Sequence, residues 1–498
     1  MPVPALQPKL PVTETFAAEY LSYYRILPLE LTADHLRVAV AGTPHDEALD
    51  DLRQSYGLAL ELVPVEEGEL QEAIRQTFAA SESVVELVRD LSAGIDPVAE
   101  GGDDSLADVR DLVNQPPVIR FVNLLIRDAH EAEASDIHLE ATRDGLRVRL
   151  RVDGVLTELP SPPKGLQAAV VSRVKLLAEL DIAQRRAPQD GRIRVRLESR
   201  ELDLRVSTVP TLYGESVVLR LLDRGGRPVG LDDLGMAPEM LAEFHRLAQK
   251  PHGILLATGP TGSGKTTTLY AALTLRHVSA EKIITVEDPV EYHLAGVTQV
   301  PVHAKAGVTF AAALRSILRQ DPDVLMVGEM RDGETAGIAV QAAMTGHLVF
   351  STLHTNDAAS ALTRLVDLKV EPYMIAATVE GVLAQRLVRR ICPECRERYR
   401  PDPAAAAILA GRPLGEMVLE RGRGCANCRQ TGYRGRTGLF ELLTMTDDLR
   451  HELLSTLDLG ALRRRVHDEG MVTLRQDAWA KVQAGLTTVE EVLRVVQD

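Results

Sequence analysis

The pattern of apolar and polar positions changes in character along the chain. Leu36–Val40 is a short apolar run that predicts a strand, and the stretches His45–Tyr56 and Glu66–Phe78 have helical spacing. We therefore expect a small N-terminal α/β module over residues 1–91. Residues 92–116 are rich in glycine, proline and aspartate, which predicts a flexible acidic linker.

Residues 117–229 follow a different pattern. A helical stretch comes first, and Leu146–Val152 then alternates strictly between apolar and charged positions. Asp153-Gly154 ends this alternation, and such a pair favours the positive φ angles of a tight hairpin turn. The alternation returns in Ile193–Leu197 and Leu202–Val206. This region is therefore predicted to be an α+β domain built largely of antiparallel strands.

Residues 230–498 contain short, fully apolar runs that are separated by helical stretches. These runs are Gly253–Thr258, Ile283–Val286, Val324–Val327 and Leu348–Phe350. Apolar strands that alternate with helices are typical of a largely parallel sheet covered on both faces. The fold class expected for this part of the chain is α/β.

Composition narrows the possible functions. The chain has 498 residues, 45% of them apolar, and a formal net charge of −15. This acidity argues against bulk binding to nucleic acid, whose phosphates attract basic surfaces. The longest apolar runs are far shorter than the roughly 20 residues needed to span a bilayer, and we do not expect Met1–Pro4 to begin a signal peptide. We expect a cytosolic protein.

One glycine-rich loop has the spacing of a phosphate-binding loop. It follows the apolar run Gly253–Thr258 and opens into a helical stretch, which is the context that this motif requires. Its glycines let backbone amides approach a phosphate, and a helix N-terminus favours anions. Lys265 is expected to reach the β and γ phosphates, and Thr266 to ligate Mg²⁺. A glycine-rich turn that matches by chance is the alternative. The predicted nucleotide-binding residues are Gly259, Pro260, Thr261, Gly262, Ser263, Gly264, Lys265, Thr266 and Thr267.

Acidic residues follow two of the apolar runs. Glu287, Asp288 and Glu291 come after one run, and Glu329 comes after another. Ligands of open parallel sheets bind at the carboxyl ends of the strands. One carboxylate is expected to hold Mg²⁺ and another to orient and deprotonate the attacking water. Acidic loop residues on the surface are the alternative.

Two histidines bracket a further apolar run. His347 precedes it and His354 follows it. This placement suggests contact with phosphate or with a neighbouring domain, and the alternative is a structural histidine with satisfied hydrogen bonds.

All four cysteines lie in one segment. Cys392 and Cys395 form one C-x-x-C pair, Cys425 and Cys428 form another, and 29 residues separate the pairs. Four thiolates satisfy tetrahedral Zn²⁺ and leave no open position for catalysis. We predict one structural zinc per chain in a lobe over residues 388–438, whose long spacer must fold by itself. Disulfides or a redox pair are the alternative, which fits a cytosolic chain poorly.

Together these motifs resemble the secretion ATPases of bacterial type II secretion and type IV pilus systems. The resemblance is carried by Ala134–His138, Arg151–Gly154, Pro188–Arg192, Arg205–Thr208, Gly259–Thr266, Thr285–Tyr292, Leu318–Asp323, Gly328–Asp332 and Thr345–Asn356. It implies a RecA-like P-loop ATPase domain preceded by a PAS-like domain, and assembly into a hexameric ring that uses ATP and Mg²⁺.

The resemblance also implies roles for individual residues. Glu287 would be the catalytic base, Glu329 the acid of the Walker B motif, and His354 the sensor of the γ-phosphate. Arg205 and Arg220 would reach the nucleotide from the PAS-like domain. The residues with implied supporting roles at the site or at a subunit interface are His347, Asp288, Glu291, Arg315, Arg319 and Arg331.

The tetracysteine segment divides this family further. Pilus retraction ATPases lack it, whereas type II secretion and pilus assembly ATPases have it. Pilus assembly ATPases usually carry a longer N-terminal region than this chain, so the resemblance implies a cytoplasmic hexameric ATPase that powers type II secretion. A type IV pilus assembly ATPase, including one for DNA uptake, is the alternative. Relatives that bind cyclic di-GMP begin the relevant motif with Arg-Leu-Gly, where this chain has Gln54–Leu58, so cyclic di-GMP binding is not expected.

The implied partners follow from the same resemblance. The N-terminal module is expected to dock inner-membrane platform proteins, which would recruit the ATPase to the cytoplasmic face of that membrane. No direct contact with nucleic acid is expected. A DNA motor is disfavoured by the acidic charge, and a nucleotide-binding scaffold without hydrolysis is disfavoured by the intact acids and arginines.

Overall fold

The computed structural model describes most of the chain. The described residues are 18–32, 35–79, 84–85, 87–88, 113, 115–197, 200–223, 229–276, 279–412, 417–455 and 458–496. They form two compact units, one drawn from Met1–Asp128 and Pro160–Val170, the other from Ala129–Leu159 and Val171–Asp498. Most of the predicted acidic linker lies outside the described residues. No helix of the described ranges is long and apolar enough to cross a membrane.

The first unit contains a three-stranded sheet. Its elements are α1 (Ala18–Tyr24), β1 (Ile26–Leu31), β2 (His35–Val40), α2 (Asp46–Tyr56), β3 (Ala59–Pro64) and α3 (Glu67–Ala79). The central strand β2 pairs antiparallel with β1 and parallel with β3. The apolar side chains of β2 form a core with Leu52 and Leu70 from the two helices that follow. The strand and both helices predicted here are therefore present.

A six-stranded antiparallel sheet follows. Its elements are α4 (Pro116–Glu131), β4 (Ala134–Thr142), β5 (Gly145–Val152), β6 (Val155–Leu159), α5 (Gln167–Leu177), β7 (Gln189–Leu197), β8 (Arg200–Thr211) and β9 (Gly214–Asp223). The strand order is β6-β5-β4-β9-β8-β7. Asp153 and Gly154 have φ angles of 49° and 81°, so the predicted hairpin turn is confirmed.

A seven-stranded sheet forms the centre of the remaining chain. Its strands are β10 (Gly253–Thr258), β11 (Ile283–Glu287), β12 (Thr298–Pro301), β13 (Val324–Val327), β14 (Leu348–Leu353), β15 (Val379–Ile391) and β18 (Tyr433–Thr444). They lie in the order β12-β11-β13-β14-β10-β15-β18. Only β18 runs antiparallel to its neighbour within the described sheet. The predicted parallel α/β sheet is thus confirmed.

Alternate residues of these strands enter two different cores. Leu256 and Val286 join one core, whereas Leu255 and Phe350 join the other. The covering helices are α6 (Pro238–Ala248), α7 (Lys265–Leu273), α8 (Phe310–Ile317), α9 (Gly333–Met344), α10 (Ala359–Asp367) and α11 (Pro372–Thr378). Both faces are buried, which explains why the strands read as continuous apolar runs.

The segment between the cysteine pairs forms its own small elements. They are β16 (Arg396–Tyr399), α12 (Pro403–Ala410) and β17 (Leu419–Gly422), with β16 and β17 paired antiparallel. The chain then returns through β18 and continues into α13 (Asp447–Ser455), α14 (Leu459–Asp468), α15 (Leu474–Gln483) and α16 (Val489–Val495).

Candidate nucleotide site and cysteine centre

The phosphate loop lies between β10 and α7, at the carboxyl edge of the parallel sheet. Gly259 and Gly264 have φ angles of 148° and 88°, which favour glycine. A Cβ atom on Gly259 would meet the Gln385 carbonyl oxygen at 2.4 Å, and one on Gly264 would meet Gln385 Nε2 at 2.8 Å. The backbone of neighbouring β15 therefore requires glycine at position 259, whereas at position 264 the positive φ angle favours glycine, in both cases independently of any ligand.

Lys265 is folded back onto this loop. Its Nζ donates to the carbonyl oxygens of Gly259 at 2.7 Å and Pro260 at 2.9 Å. Burial lowers the pKa of Lys265 to about 8, although the Glu329 carboxylate opposes this shift. The buried Ser263 hydroxyl has no hydrogen-bond partner among the described residues. A buried ammonium that binds only carbonyls and an unpartnered hydroxyl fit an anionic phosphate group.

Thr261, Thr266 and Thr267 complete the predicted set. Thr261 is exposed in the loop, whereas Thr266 and Thr267 are half-buried in the first turn of α7. A hydroxyl in the turn after Lys265 stands where a P-loop threonine would ligate Mg²⁺.

Glu329 lies two residues beyond β13, at the carboxyl edge of the parallel sheet, and contacts basic side chains there. Arg331 Nη2 forms an ion pair with Glu329 Oε1, and His354 Nε2 lies 3.6 Å from Glu329 Oε2. The ion pair with Glu329 raises the pKa of Arg331. Burial and the nearby Lys265 ammonium lower the pKa of His354. The structure therefore brings Lys265, Glu329, Arg331 and His354 into one electrostatic cluster.

Glu287, the last residue of β11, has a different environment. Its carboxylate accepts hydrogen bonds from the Tyr270 hydroxyl, from Thr285 Oγ1 at 2.5 Å and from Gln299 Nε2 at 3.2 Å. Glu287 is only 2% exposed. Burial and the acceptor Glu287 raise the pKa of Tyr270, so this hydroxyl remains a donor. The carboxylate is thus enclosed by neutral donors and shielded from solvent.

Two predicted arginines line a cleft beside the loop after β11. The cleft measures about 480 Å³, and its walls include Arg205, Arg220 and Asp288. Arg205 Nη2 donates to the Val290 carbonyl oxygen at 3.3 Å. Burial lowers the pKa of Arg205, which the carboxylate of Glu291 opposes. The antiparallel sheet therefore does present these arginines to the segment that contains Asp288 and Glu291.

Three predicted residues have their contacts outside both the Glu329 cluster and the arginine-lined cleft. His347 lies at the opposite end of β14, where its Nδ1 donates to the Ala342 carbonyl oxygen at 2.8 Å. Arg315 forms an ion pair with Glu334, and Arg319 Nη1 donates to the Arg315 carbonyl oxygen at 2.9 Å. His347 therefore binds the end of α9, and both arginines engage partners on the protein surface.

Two residues near the phosphate loop were not predicted from the sequence. Gln385 Oε1 accepts a hydrogen bond from Thr268 Oγ1 at 2.7 Å, and Arg386 Nη2 donates to the Asn356 carbonyl oxygen at 3.0 Å. Arg386 is only 8% exposed, and its charge contributes to the lowered pKa of Lys265. Two adjacent polar residues inside the apolar run of β15 were the available signal.

The four cysteines converge in the second unit. Their sulfur atoms all lie within 4.8 Å of one another. The Cys392–Cys425, Cys395–Cys428 and Cys425–Cys428 Sγ atoms are separated by 3.9, 3.8 and 3.6 Å. A tetrahedral site with Zn–S bonds of about 2.3 Å requires sulfur separations of about 3.8 Å. The tetrad therefore has dimensions that could hold a zinc ion.

Backbone amides favour the thiolate form of one member of this tetrad, Cys428. The N–H groups of Cys425 and Gly432 donate to Cys428 Sγ at 3.1 and 3.2 Å. Burial opposes ionisation of Cys428, but these donors and the neighbouring thiols outweigh it and lower the pKa of Cys428 to about 7. All four cysteines are free thiols rather than disulfides. A thiolate is the form that ligates a metal.

Sequence comparison identifies matching families over both parts of the chain. The family model described as Type II/IV secretion system protein matches residues 111–494, and the MshEN domain model matches residues 2–84. The chain is 46% identical over 492 residues to the type II secretion system protein E of Xanthomonas campestris pv. campestris, covering 98% of this chain and 86% of that protein. It is 43% identical to the type II secretion system ATPase E of Vibrio cholerae, covering 91% and 90%.

The chain is also similar to a pilus protein and to solved structures. The type IV pilus assembly ATPase PilB of Myxococcus xanthus is 41% identical, with 95% of this chain and 85% of that protein covered. The crystal structure of the pilus retraction motor PilT with bound ADP has a TM-score of 0.51 and 26% identity, covering 74% and 95%. The ATPase DotB of Legionella pneumophila has a TM-score of 0.56 at 21% identity, covering 75% and 94%, which is a likeness of fold.

Proposed function

Because the chain belongs to the Type II/IV secretion system protein family, we propose that it is the ATPase that powers type II secretion. It is an ATP-hydrolysing enzyme that acts on ATP with Mg²⁺. The observation that carries the proposal is the cluster of Lys265, Glu329, Arg331 and His354 beside the phosphate loop. Positive charge and a carboxylate beside the loop support the proposal, because γ-phosphoryl transfer to water requires both.

The phosphate loop would bind the nucleotide through its backbone amides and Lys265. ATP binding would draw the Lys265 ammonium away from the Gly259 and Pro260 carbonyl oxygens and toward the phosphates. Thr266 would hold Mg²⁺, which neutralises phosphate charge when bound. Glu329 would complete this metal environment, and His354 would sense the γ-phosphate.

The remaining assigned groups would serve the transition state. Glu287 would act as the base that takes a proton from the attacking water, once its hydrogen-bond donors give it access. Arg205 and Arg220 would neutralise the charge that spreads over the γ-phosphoryl oxygens. Asp288, Glu291 and Arg331 would support these groups, while Arg315 and Arg319 would act at a subunit interface.

The domain organisation suggests how hydrolysis is used. The predicted boundaries give an N-terminal docking module over residues 1–91, an arginine-bearing domain over 117–229 and the ATPase domain over 230–498. Six chains would form a ring in the cytoplasm, and the docking module would recruit it to inner-membrane platform proteins. The MshEN match over residues 2–84 supports a separate module at that end.

The cysteine tetrad would hold one structural zinc per chain. Zinc would fix the segment between the two cysteine pairs, because both pairs are needed to close the site. Metal analysis of the chain purified in reducing buffer should give one zinc per polypeptide. A fully folded chain without stoichiometric metal would contradict this assignment.

Replacing Lys265 tests the ATPase proposal directly. Lys265→Ala should abolish ATP turnover by the full-length chain, because the phosphates lose their buried cation. The matched control is Lys305→Ala, which removes an exposed lysine elsewhere in the same domain. Undiminished hydrolysis by Lys265→Ala, with both variants folded, would refute the site.

A pilus assembly ATPase is the second candidate, and the 41% identity to PilB favours keeping it. The two candidates share the ATPase chemistry, so turnover does not separate them. A strain that lacks the gene separates the two candidates. Loss of exoprotein secretion with normal piliation supports type II secretion, whereas loss of pili with normal secretion supports pilus assembly.

A further inference from the structure

Five charged residues form a row across the antiparallel sheet. Asp136 of β4 is in register with Arg151 of β5 on one side and with Arg220 of β9 on the other. Arg220 is in register with Arg205 of β8, which is in register with Arg192 of β7. Residues paired in this way project from the same face of a sheet. The row therefore contains four guanidinium groups and one carboxylate.

Like charges directly opposite one another destabilise a sheet unless a counter-charge is present. Asp136 is the internal counter-charge of the row. Its Oδ1 accepts from Arg220 Nε at 2.9 Å, and its Oδ2 lies 3.7 Å from Arg151 Nε. The Ser135 hydroxyl also donates to Oδ2 at 2.8 Å. Asp136 is 5% exposed, so its charge acts with little screening by solvent.

The contact leaves the outer part of Arg220 available. Asp136 engages Nε, and the terminal nitrogens of Arg220 have no hydrogen-bond partner in the described part of the chain. These terminal nitrogens form the fork that binds phosphate oxygens in pairs. Arg220 is 61% exposed over its side chain and lines the cleft, whose carboxylates are Asp190 and Asp288.

We propose that Asp136 is the positioning residue for Arg220. It binds Arg220 at Nε and so aims the terminal nitrogens at the nucleotide phosphates that enter the cleft. This inference rests on the proposed phosphate contact of Arg220. Asp136 itself touches neither nucleotide nor metal; it acts only through the guanidinium that it holds.

A double-mutant cycle in the full-length chain tests the proposal. Asp136→Asn keeps the shape of the side chain but removes its charge, and should lower kcat about tenfold with little change in KM for ATP. Arg220→Gln should lower kcat further. Asp136→Asn combined with Arg220→Gln should be no slower than Arg220→Gln alone, because a positioning residue has no effect once its target is gone.

A matched control separates positioning from general loss of an ion pair. Glu140 lies on the same strand and face as Asp136 and pairs with Arg149, which does not line the cleft. Glu140→Gln should leave kcat unchanged. If Asp136→Asn melts at a lower temperature, its lower kcat has two explanations, lost positioning and lost stability. Asp136→Glu decides between them, because it keeps the charge but displaces the carboxylate. Its kcat should still fall.

Three results would overturn the inference, and they do so in two different ways. Normal kcat in Asp136→Asn beside a slow Arg220→Gln would remove the positioning role and leave the proposed function intact. Additive losses in the double variant would do the same. Normal kcat in Arg220→Gln would instead remove the phosphate role of Arg220, and the inference would fall with it.

Discussion

Two glutamates at the ends of neighbouring strands have opposite surroundings. Val286 of β11 is in register with Val327 of β13, so Glu287 and Glu329 leave the sheet at the same edge. Glu287 is enclosed by Tyr270, Thr285 and Gln299, all of which are neutral donors. Glu329 is 16% exposed over its side chain and faces Arg331 and His354. The same sequence signal, an apolar run followed by glutamate, therefore produces two different chemical environments.

The difference lies in which elements cover each carboxylate. Tyr270 is on α7 and Gln299 is on β12, so Glu287 connects the phosphate-loop helix to the edge strand. Glu329 contacts side chains that follow β13 and β14. The cations that hold a carboxylate can move to a bound phosphate, and the carboxylate can then bind a metal ion. A carboxylate enclosed by neutral donors also contributes to the stability of the fold.

Replacement of Glu329 should have the largest effect on catalysis. Glu329→Gln removes the charge that faces Lys265, Arg331 and His354. We expect ATP turnover to fall about 10³-fold, because this charge is placed for the metal and phosphates. The melting temperature should change little, since the ion pair with Arg331 is partly solvated. Steady-state ATPase assays and thermal unfolding of the same preparation measure both. Substantial unfolding of Glu329→Gln would contradict this division.

Replacement of Glu287 should affect both stability and activity. Glu287→Gln disturbs three hydrogen bonds to a buried carboxylate and should lower the free energy of unfolding by about 1–3 kcal/mol. As the proposed base, its loss should also reduce turnover about 10²-fold. Thermal unfolding and ATPase assays below the melting temperature separate the effects. Normal turnover in a destabilised Glu287→Gln variant would show that the residue is structural.

The sequence predicts the helices, strands and local motifs of this chain better than the contacts between them. The phosphate loop, the Asp153-Gly154 turn and the cysteine tetrad depend on residues that are adjacent or closely spaced, so their local geometry follows from the chain itself. The enclosure of Glu287 depends on Tyr270 and Gln299, which reach it through the packing of α7 and β12. Tertiary register of this kind leaves no periodic signal in a single sequence.

Arg386 and the arginine row illustrate the same limit. Arg386 lies inside an otherwise apolar strand, where a buried guanidinium is disfavoured unless its surroundings supply acceptors. Those acceptors come from Asn356, 30 residues earlier. The alignment of Arg192, Arg205 and Arg220 depends on the registers of three strands. Alternation predicted the strands but not which arginines face each other.

The two glutamates should also differ in their effect on the pH dependence of nucleotide binding. Lys265 has a pKa lowered to about 8, and a bound phosphate would raise it. Nucleotide affinity should therefore be constant below about pH 8 and fall up to tenfold per pH unit above it. Glu329→Gln removes the charge that favours the ammonium, so the decline should begin at lower pH.

Glu287→Gln is the matched comparison for this measurement, because Glu287 is not among the charges that shift Lys265. Its affinity for ADP, titrated between pH 6.5 and 9.5, should decline over the same range as the wild type. A decline that starts at the same pH in Glu329→Gln and in the wild type would separate Glu329 from the electrostatics of Lys265.

The smallest effect is expected at His347, because β14 places its two flanking histidines at opposite edges of the sheet. Six strand residues span about 20 Å, so His347 is far from the cluster that contains His354.

His347→Ala removes the hydrogen bond to the Ala342 carbonyl oxygen and should lower the free energy of unfolding by about 1 kcal/mol. ATP turnover should stay within about twofold of wild type, whereas His354→Ala should lose tenfold or more. Comparable losses in both variants would contradict this expectation and would assign His347 to the nucleotide site of a neighbouring subunit in the proposed ring.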